Sequence, residues 1–140
     1  MKKTKILVEV ISSKSLRDLW DLWTKPEHIT QWSYAIDSWH APRAENDLKT
    51  GGRFKTRMEA RDGSMGFDFE GIYTDVDPLK RIDYMLGDER EVSVRFEEVA
   101  GGVRISELFD IENLNSAEMQ REGWQAILDN FKKYADKTLK

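Results

Sequence analysis

The sequence predicts an α+β fold in which a curved antiparallel sheet of about six to seven strands wraps around a long C-terminal helix. First, residues 116–140 carry apolar side chains at helical spacing along one stripe and charged side chains opposite it. Second, residues 53–110 alternate apolar and polar side chains in short runs that turn-forming residues separate. Third, two short helical segments follow the first strand, so helices are available to cover the apolar face of a half-wet sheet.

The chain begins with a strand and an amphipathic helix. Residues 6–11 are an apolar run that contains Glu9 and lacks a cleavage site, which favours a first strand over a signal peptide. Residues 16–23 then repeat leucine and tryptophan at helical spacing. Ser13 or Ser15 can cap this helix, because a serine oxygen accepts from an unpaired amide of the first turn.

A second short helix follows the first. Thr24 resembles a helix cap and Pro26 occupies a position where a missing N–H is harmless, so a helix is predicted to end near Gln31. Residues 32–48 are irregular, with several turn formers, although residues 37–41 could form a short strand.

The middle of the chain predicts antiparallel hairpins. Residues 54–60 and 67–74 alternate on either side of the turn formers at 62–63, which is typical of a hairpin. Shorter alternating runs follow the turn formers at 77–78 and flank the glycine pair at 101–102. Consecutive strands should therefore pair antiparallel in one sheet.

The terminal helix should bury one face. Its apolar stripe at 100° per residue contains Ala117, Trp124, Ile127, Leu128, Phe131, Tyr134, Ala135 and Leu139. A helix of some 22 residues would span about 33 Å, enough to cross a bent sheet from edge to edge. Asn115 is predicted to cap it, with Glu118 able to reach back to the capping residue.

Length and composition exclude several classes of function. The 140 residues fit a single domain, 1–140. A net charge of −4 provides no basic field for nucleic acid, and no apolar run approaches the roughly 20 residues needed for membrane insertion. The absence of cysteine fits the cytoplasm. Because the sequence has no cysteine and its two histidines, His28 and His40, lack a metal-binding spacing, it predicts neither a metal site nor a cofactor.

Several local signatures recur together in this chain: Leu19-Trp20, Thr24–Trp32, Asp47–Phe54, Gly71–Tyr73 with Pro78, Arg81-Ile82, Gly123-Trp124 and Ile127-Leu128. With these signatures the chain resembles the family of Hsp90-ATPase-activator homologues (AHSA1-like), within the START-like or SRPBCC superfamily. The resemblance implies the helix-grip (Bet v 1-like) fold, in which the curved sheet and the C-terminal helix enclose a cavity for lipids, polyketides or other apolar molecules. The eukaryotic activator has a further N-terminal domain that this chain has no room for, so its Hsp90 activity is not carried over.

Inward-facing aromatic and methionine side chains are the candidate lining of such a cavity, because they suit an adaptable apolar pocket. The alternative is a packed core, which is the commoner fate of each such side chain taken singly. The candidate apolar lining comprises Trp39, Phe54, Met58, Phe67, Phe69, Tyr84, Phe96, Met119, Trp124 and Ile127. Trp20 and Trp23 are assigned to the core.

Glu107, Gln120 and Gly123 complete the candidate ligand-binding set. Glu107 interrupts an apolar row of the last strand, so it must be paired, protonated or reached by water. Glu107 and Gln120 could orient the polar end of a ligand, or Glu107 could lie at a strand end near solvent or an arginine. Gly123 destabilises the helix by roughly 1 kcal/mol relative to alanine. Either close packing on the sheet or space for a ligand would explain why glycine occupies this position.

We expect a protein that binds a hydrophobic small molecule or lipid. An enzyme of the cyclase, aldolase or hydrolase type, with Glu107 or His40 as acid or base, is an alternative; no catalytic residue is assigned. A module that contacts Hsp90 or another protein is a further alternative. It would need an exposed apolar patch, and the polar, solvent-facing sides of the predicted strands do not indicate one. Homodimerisation is left open.

Overall fold

The computed structural model describes residues 4–139. Its elements are β1 (Lys5–Ser12), α1 (Leu16–Thr24), α2 (Pro26–Trp32), β2 (Trp39–Asn46), β3 (Arg53–Ala60), β4 (Gly66–Asp77), β5 (Arg81–Leu86), β6 (Glu91–Val99), β7 (Gly102–Asp110) and α3 (Ala117–Thr138). The predicted order of one strand, two short helices, a run of strands and a long helix is confirmed. The last helix has 22 residues, as its periodicity predicts.

The seven strands within residues 4–139 belong to one sheet, whose order is β1-β7-β6-β5-β4-β3-β2. Strands β2 to β7 follow each other as a meander, and β1 pairs antiparallel with β7 at the far end. Alternate side chains from every strand therefore face the same side, and that side is apolar. Strand β2 extends beyond the predicted short strand because a register shift between His40 and Arg43 accommodates Pro42.

Two turns need glycine for physical reasons. Gly63 has φ +78° in the β3–β4 turn, as the hairpin signal predicts. Gly102 has φ +145°, and a Cβ there would lie 1.9 Å from the carbonyl oxygen of Ser12. The β6–β7 hairpin and the end of β1 can therefore approach each other only because this residue has no side chain.

An aromatic cluster fills one end of the concave face. The rings of Trp23 and Trp32 each lie 4.9 Å from Phe131 of α3, and they lie 4.8 Å from each other. Phe96 of β6 packs against Trp20 at 5.3 Å and against Trp23 at 5.9 Å. Residues of α1, α2 and the second half of α3 therefore meet over this part of the concave face.

Helix α3 also covers the free edge of β1. Arg121 donates to the carbonyl oxygen of Leu7 at 3.4 Å, and Gln125 donates to that of Glu9 at 3.2 Å. These bonds use acceptors that β7 leaves free, so the helix is tied to the sheet along its first half.

Two predicted caps are wrong by one residue. Ser116, rather than Asn115, caps α3 by accepting from the amide of Met119 at 3.1 Å. Lys25 precedes α2 without a side-chain cap, because the Thr24 hydroxyl donates instead to the carbonyl of Trp20 at 2.8 Å. The cap of α1 is Ser15, one of the two serines predicted.

Candidate functional site

A cavity of about 480 Å³ lies between the concave sheet and the first half of α3. It begins where the aromatic cluster ends, and Trp23 and Trp32 belong to both. Its lining consists of Trp23, Thr24, Ile29, Trp32, Ser33, Phe54, Thr56, Met58, Phe67, Phe69, Tyr73, Ile82, Tyr84, Arg90, Glu107, Glu112, Asn115, Gln120, Trp124 and Ile127. Most of these side chains are aromatic or aliphatic.

Aromatic rings from three strands and α3 form its walls. The Phe54 ring lies 4.8 Å from Tyr84 and 5.9 Å from Phe69. Phe69 in turn lies 6.1 Å from Trp124, which stacks on Phe109 at 4.0 Å. The rings support one another in edge-on and stacked geometry, so the wall holds its shape without a ligand.

Gly71 leaves room for this wall. A Cβ at this position would lie 2.4 Å from the carbonyl oxygen of Met85 and 3.1 Å from the ring of Phe54. Its lack of a side chain therefore serves close packing.

Glu107 is the buried acid of the cavity. It faces inward between its cross-strand partners Val8 and Val94, and only 5% of it is exposed. No hydrogen bond or ion pair reaches its carboxyl group from residues 4–139. Burial alone raises its pKa from the ordinary 4.5 to about 8, so the carboxyl group is mostly neutral at pH 7.

Tyr84 presents a second unpartnered polar group. It is 8% exposed, and its hydroxyl makes no hydrogen bond within the described chain. Burial raises its pKa well above the ordinary value, and the nearby charge of Glu107 raises it further. Tyr73, its cross-strand neighbour, differs because its hydroxyl donates to Asn46 Oδ1 at 2.5 Å.

Gln120 lines the cavity, but its amide group holds the loop before α3. Its Oε1 accepts from the amide of Glu112 at 2.8 Å, and its Nε2 donates to the carbonyl of Asn115 at 2.9 Å. Glu112 Oε1 in turn accepts from the backbone and side-chain amides of Asn115. Gln120 therefore shapes this end of the cavity, and its amide group is already engaged.

Arg90 contributes the positive charge of the lining. It lies just before β6, and its Nε donates to Asp88 Oδ2 at 2.7 Å. Its charge also lowers the pKa of Tyr84, against the larger effect of burial. The turn is exposed, so this charged side chain lies where the cavity meets solvent.

Nine of the predicted ligand-binding residues line the cavity: Phe54, Met58, Phe67, Phe69, Tyr84, Glu107, Gln120, Trp124 and Ile127. Phe67 is 48% exposed, which places it at the rim. Trp23, assigned to the core from the sequence, both packs in the aromatic cluster and reaches the cavity. Trp20 is buried in the core.

Four predicted residues lie outside the lining. Trp39 backs the wall, with its ring 6.0 Å from Phe67. Phe96 belongs to the aromatic cluster, because it lies toward α1 on its strand. Met119 points outward and is 61% exposed. Gly123 leaves open space where a Cβ would stand, which excludes close packing as its reason.

Some of the residues that sequence reasoning missed had a usable signal. Thr56 alternates with Phe54 and Met58, so the period of two places it on the inner face. The residues from α1, α2 and the loop before α3 had no such signal, because their approach depends on how those segments pack.

The histidines lie elsewhere. His40 Nε2 lies 3.8 Å from Glu59 Oε1, and His28 Nδ1 lies 2.6 Å from the hydroxyl of Tyr134. Neither lines the cavity. Between Thr4 and Leu139, no three His, Cys, Asp or Glu side chains are placed to hold a metal ion.

A curled antiparallel sheet closed by a C-terminal helix, with two short helices after the first strand, defines the helix-grip class of START-like proteins. Residues 14–136 match the family described as activator of Hsp90 ATPase homolog 1-like protein. The chain belongs to this family, as its sequence signatures predict.

Solved structures agree with this assignment. An AHSA1-like protein from Aeromonas hydrophila is 40% identical, with 96% of this chain and 93% of that chain covered and a TM-score of 0.90. A protein from Cytophaga hutchinsonii is 42% identical, with 98% and 94% covered and a TM-score of 0.80. A Nitrosomonas europaea protein shares the fold at 16% identity, with 95% and 94% covered and a TM-score of 0.80.

No curated protein is significantly similar to the chain. Among the helices of residues 4–139, none combines the length and apolarity needed to cross a membrane.

Proposed function

We propose that the protein binds an apolar small molecule or lipid in the cavity between the curved sheet and α3. The observation that carries this proposal is the volume of about 480 Å³ walled by aromatic rings. Ligand pockets of proteins commonly have about 300–1,000 Å³, with apolar walls and a few polar groups. The cavity has this composition, because its walls are mostly apolar and four buried polar side chains among them make no hydrogen bond within residues 4–139, those of Ser33, Thr56, Tyr84 and Glu107.

The packed-core alternative fits these observations less well. Natural cores fill to nearly crystalline density and leave few voids larger than a water molecule. Here the aromatic cluster around Phe131 fills one end of the concave face, while the end beside Trp124 is not filled. A buried carboxyl group without a partner is costly in a core that serves packing alone.

Binding of an uncharged fluorescent probe, 1-N-phenylnaphthylamine, tests the proposal. We expect the probe to brighten on binding and the Ile127→Trp variant to weaken its binding about tenfold or more, since the larger ring would occupy the cavity. Lys133→Trp, on the exposed side of the same helix, is the matched control and should bind like the wild type. Native mass spectrometry after gentle purification should also show a co-purified apolar molecule.

Equal probe binding by wild type and Ile127→Trp would place the probe elsewhere. Absence of both probe binding and any co-purified molecule would contradict the proposal. A cytoplasmic location rests on the absence of cysteine alone, and cell fractionation would test it.

A second candidate is acid catalysis on the bound molecule by Glu107. The observation in its favour is a neutral carboxyl group held inside an apolar cavity, with a pKa of about 8 that suits proton transfer near neutral pH. His40, the other group considered, lies outside the lining and so gives this candidate no support. Once a co-purified molecule is identified, its conversion by wild type but not by Glu107→Gln would favour catalysis over binding.

A further inference from the structure

We propose that Tyr84 and Glu107 form a pair of neutral hydrogen-bond donors that selects apolar ligands bearing a carbonyl oxygen. This inference rests on the proposed function, since it concerns the ligand of the same cavity. It adds the chemical class of the ligand and the groups that recognise it.

The two groups share three properties. Both are more than nine-tenths buried, both line the cavity, and neither forms a hydrogen bond with another described residue. Among the other polar side chains of the wall, the Tyr73 hydroxyl and the Gln120 amide are engaged, whereas the smaller hydroxyls of Ser33 and Thr56 make no hydrogen bond within residues 4–139. A buried donor without a partner costs free energy that a ligand acceptor would recover.

Tyr84 and Glu107 lie on the two strands that flank β6. Tyr84 of β5 lies opposite Val92 of β6, and Glu107 of β7 lies opposite Val94, so the two side chains come from adjacent inward rows. Both side chains reach the same cavity, and the charge that Glu107 can carry raises the pKa of Tyr84 beyond the larger effect of burial. Two long side chains can therefore approach one ligand atom from neighbouring rows.

The protonation states decide the chemistry. A protonated carboxyl group and a phenol each offer one O–H donor, and a carbonyl oxygen has two lone pairs to accept them. An apolar site that keeps an acid neutral turns that acid into a donor. The other titratable groups of the wall are Tyr73, Arg90 and Glu112, and the last two are already bound to Asp88 and Asn115, respectively.

A matched pair of probes separates this inference from simple apolar binding. Fluorenone and fluorene have nearly the same shape, but only fluorenone carries a carbonyl group, and neither ionises between pH 6 and pH 9. Their affinities are measured by displacement of 1-N-phenylnaphthylamine from the intact chain. We expect wild type to prefer fluorenone by about tenfold or more, the size of one to two buried hydrogen bonds.

Variants of each donor test the pair. Tyr84→Phe and Glu107→Leu should each lower the fluorenone preference by about threefold to tenfold. Tyr34→Phe and Glu98→Leu are matched controls outside the cavity and should keep it. Glu107→Gln retains an N–H donor, so it should restore part of the preference lost in Glu107→Leu. The carbonyl stretch of bound fluorenone should move to lower frequency in wild type and move back in Tyr84→Phe.

Dependence on pH provides an independent readout. Glu107 loses its proton as the pH rises through about 8, so the fluorenone preference of wild type should fall across this range and that of Glu107→Gln should stay constant. The proposed donor pair is contradicted if the preference for fluorenone over fluorene rises with pH, or if it is unchanged in either Tyr84→Phe or Glu107→Leu. If both probes bind equally, this inference fails alone; if neither binds, the proposed function fails with it.

Discussion

Replacing Glu107 by glutamine should make the fold more stable at neutral and alkaline pH while changing little in acid. Folding raises the pKa of this carboxyl group from 4.5 to about 8, so the folded chain holds the proton more tightly than the unfolded chain. The contribution of Glu107 to the free energy of unfolding is therefore greatest below pH 4.5, falls as the pH rises from 4.5 to 8, and stays low above 8. Glutamine has nearly the same shape and no proton to lose, so it removes this dependence.

The size of the effect follows from the two pKa values. Each pH unit between them costs the wild type about 1.4 kcal/mol. The advantage of Glu107→Gln should therefore reach about 3 kcal/mol at pH 7 and approach about 5 kcal/mol above pH 8. That is a large part of the roughly 5–15 kcal/mol stability of a typical domain.

Urea denaturation followed by tryptophan fluorescence at pH 4, 7 and 8.5 measures the difference, with Glu98→Gln as an exposed control. The Glu107→Gln curve should separate from the wild type as the pH rises, and the control curve should not. A difference in the free energy of unfolding between wild type and Glu107→Gln that stays constant across this range would refute the reasoning. It would mean that the Glu107 carboxyl group has the same pKa in the folded and the unfolded chain.

Three further substitutions test the backbone. Ser116→Ala should lower the free energy of unfolding by about 1 kcal/mol, because it removes the acceptor for the Met119 amide; the same change at Asn115 should not remove a cap. Gly123→Ala should raise that free energy by up to about 1 kcal/mol, since a Cβ there meets no atom within 4 Å. Gly102→Ala should lower it by about 2 kcal/mol or more, because the Cβ would collide with the Ser12 carbonyl. Thermal and urea denaturation measure all three. A stabilised Gly102→Ala, a destabilised Gly123→Ala or an unaffected Ser116→Ala would each contradict its explanation.

Strand orientation was largely predictable. The period of two along β3 and β4 correctly predicted that Phe54, Met58 and Phe69 face the concave side, and the row from β7 correctly included Glu107. Neighbouring side chains on a strand point to opposite faces regardless of the rest of the fold. The alternation is interrupted where β2 contains a register shift near Pro42, and again where β4 shifts register between Tyr73 and Asp75.

Helical residues were harder to place. Met119 and Gln120 are adjacent on α3, and both were predicted to touch a ligand, yet Met119 is exposed and Gln120 is buried. The apolar stripe of a helix defines a broad sector, and residues at its edges turn inward or outward according to how the helix docks. Phe96 is a related case, because α1 rather than the ligand space covers its end of the sheet.

The sequence by itself determined the order of elements, the inward face of the strands and the presence of Glu107 in an apolar row, because these depend on periods of two and 3.6 residues along the chain. Only the tertiary structure decided which inward side chains surround empty space. That depends on how far Trp23, Trp32 and Phe131 fill the concave face from one end. It also depends on whether Tyr84 and Glu107 find partners there, which is a property of distances between elements that no local pattern records.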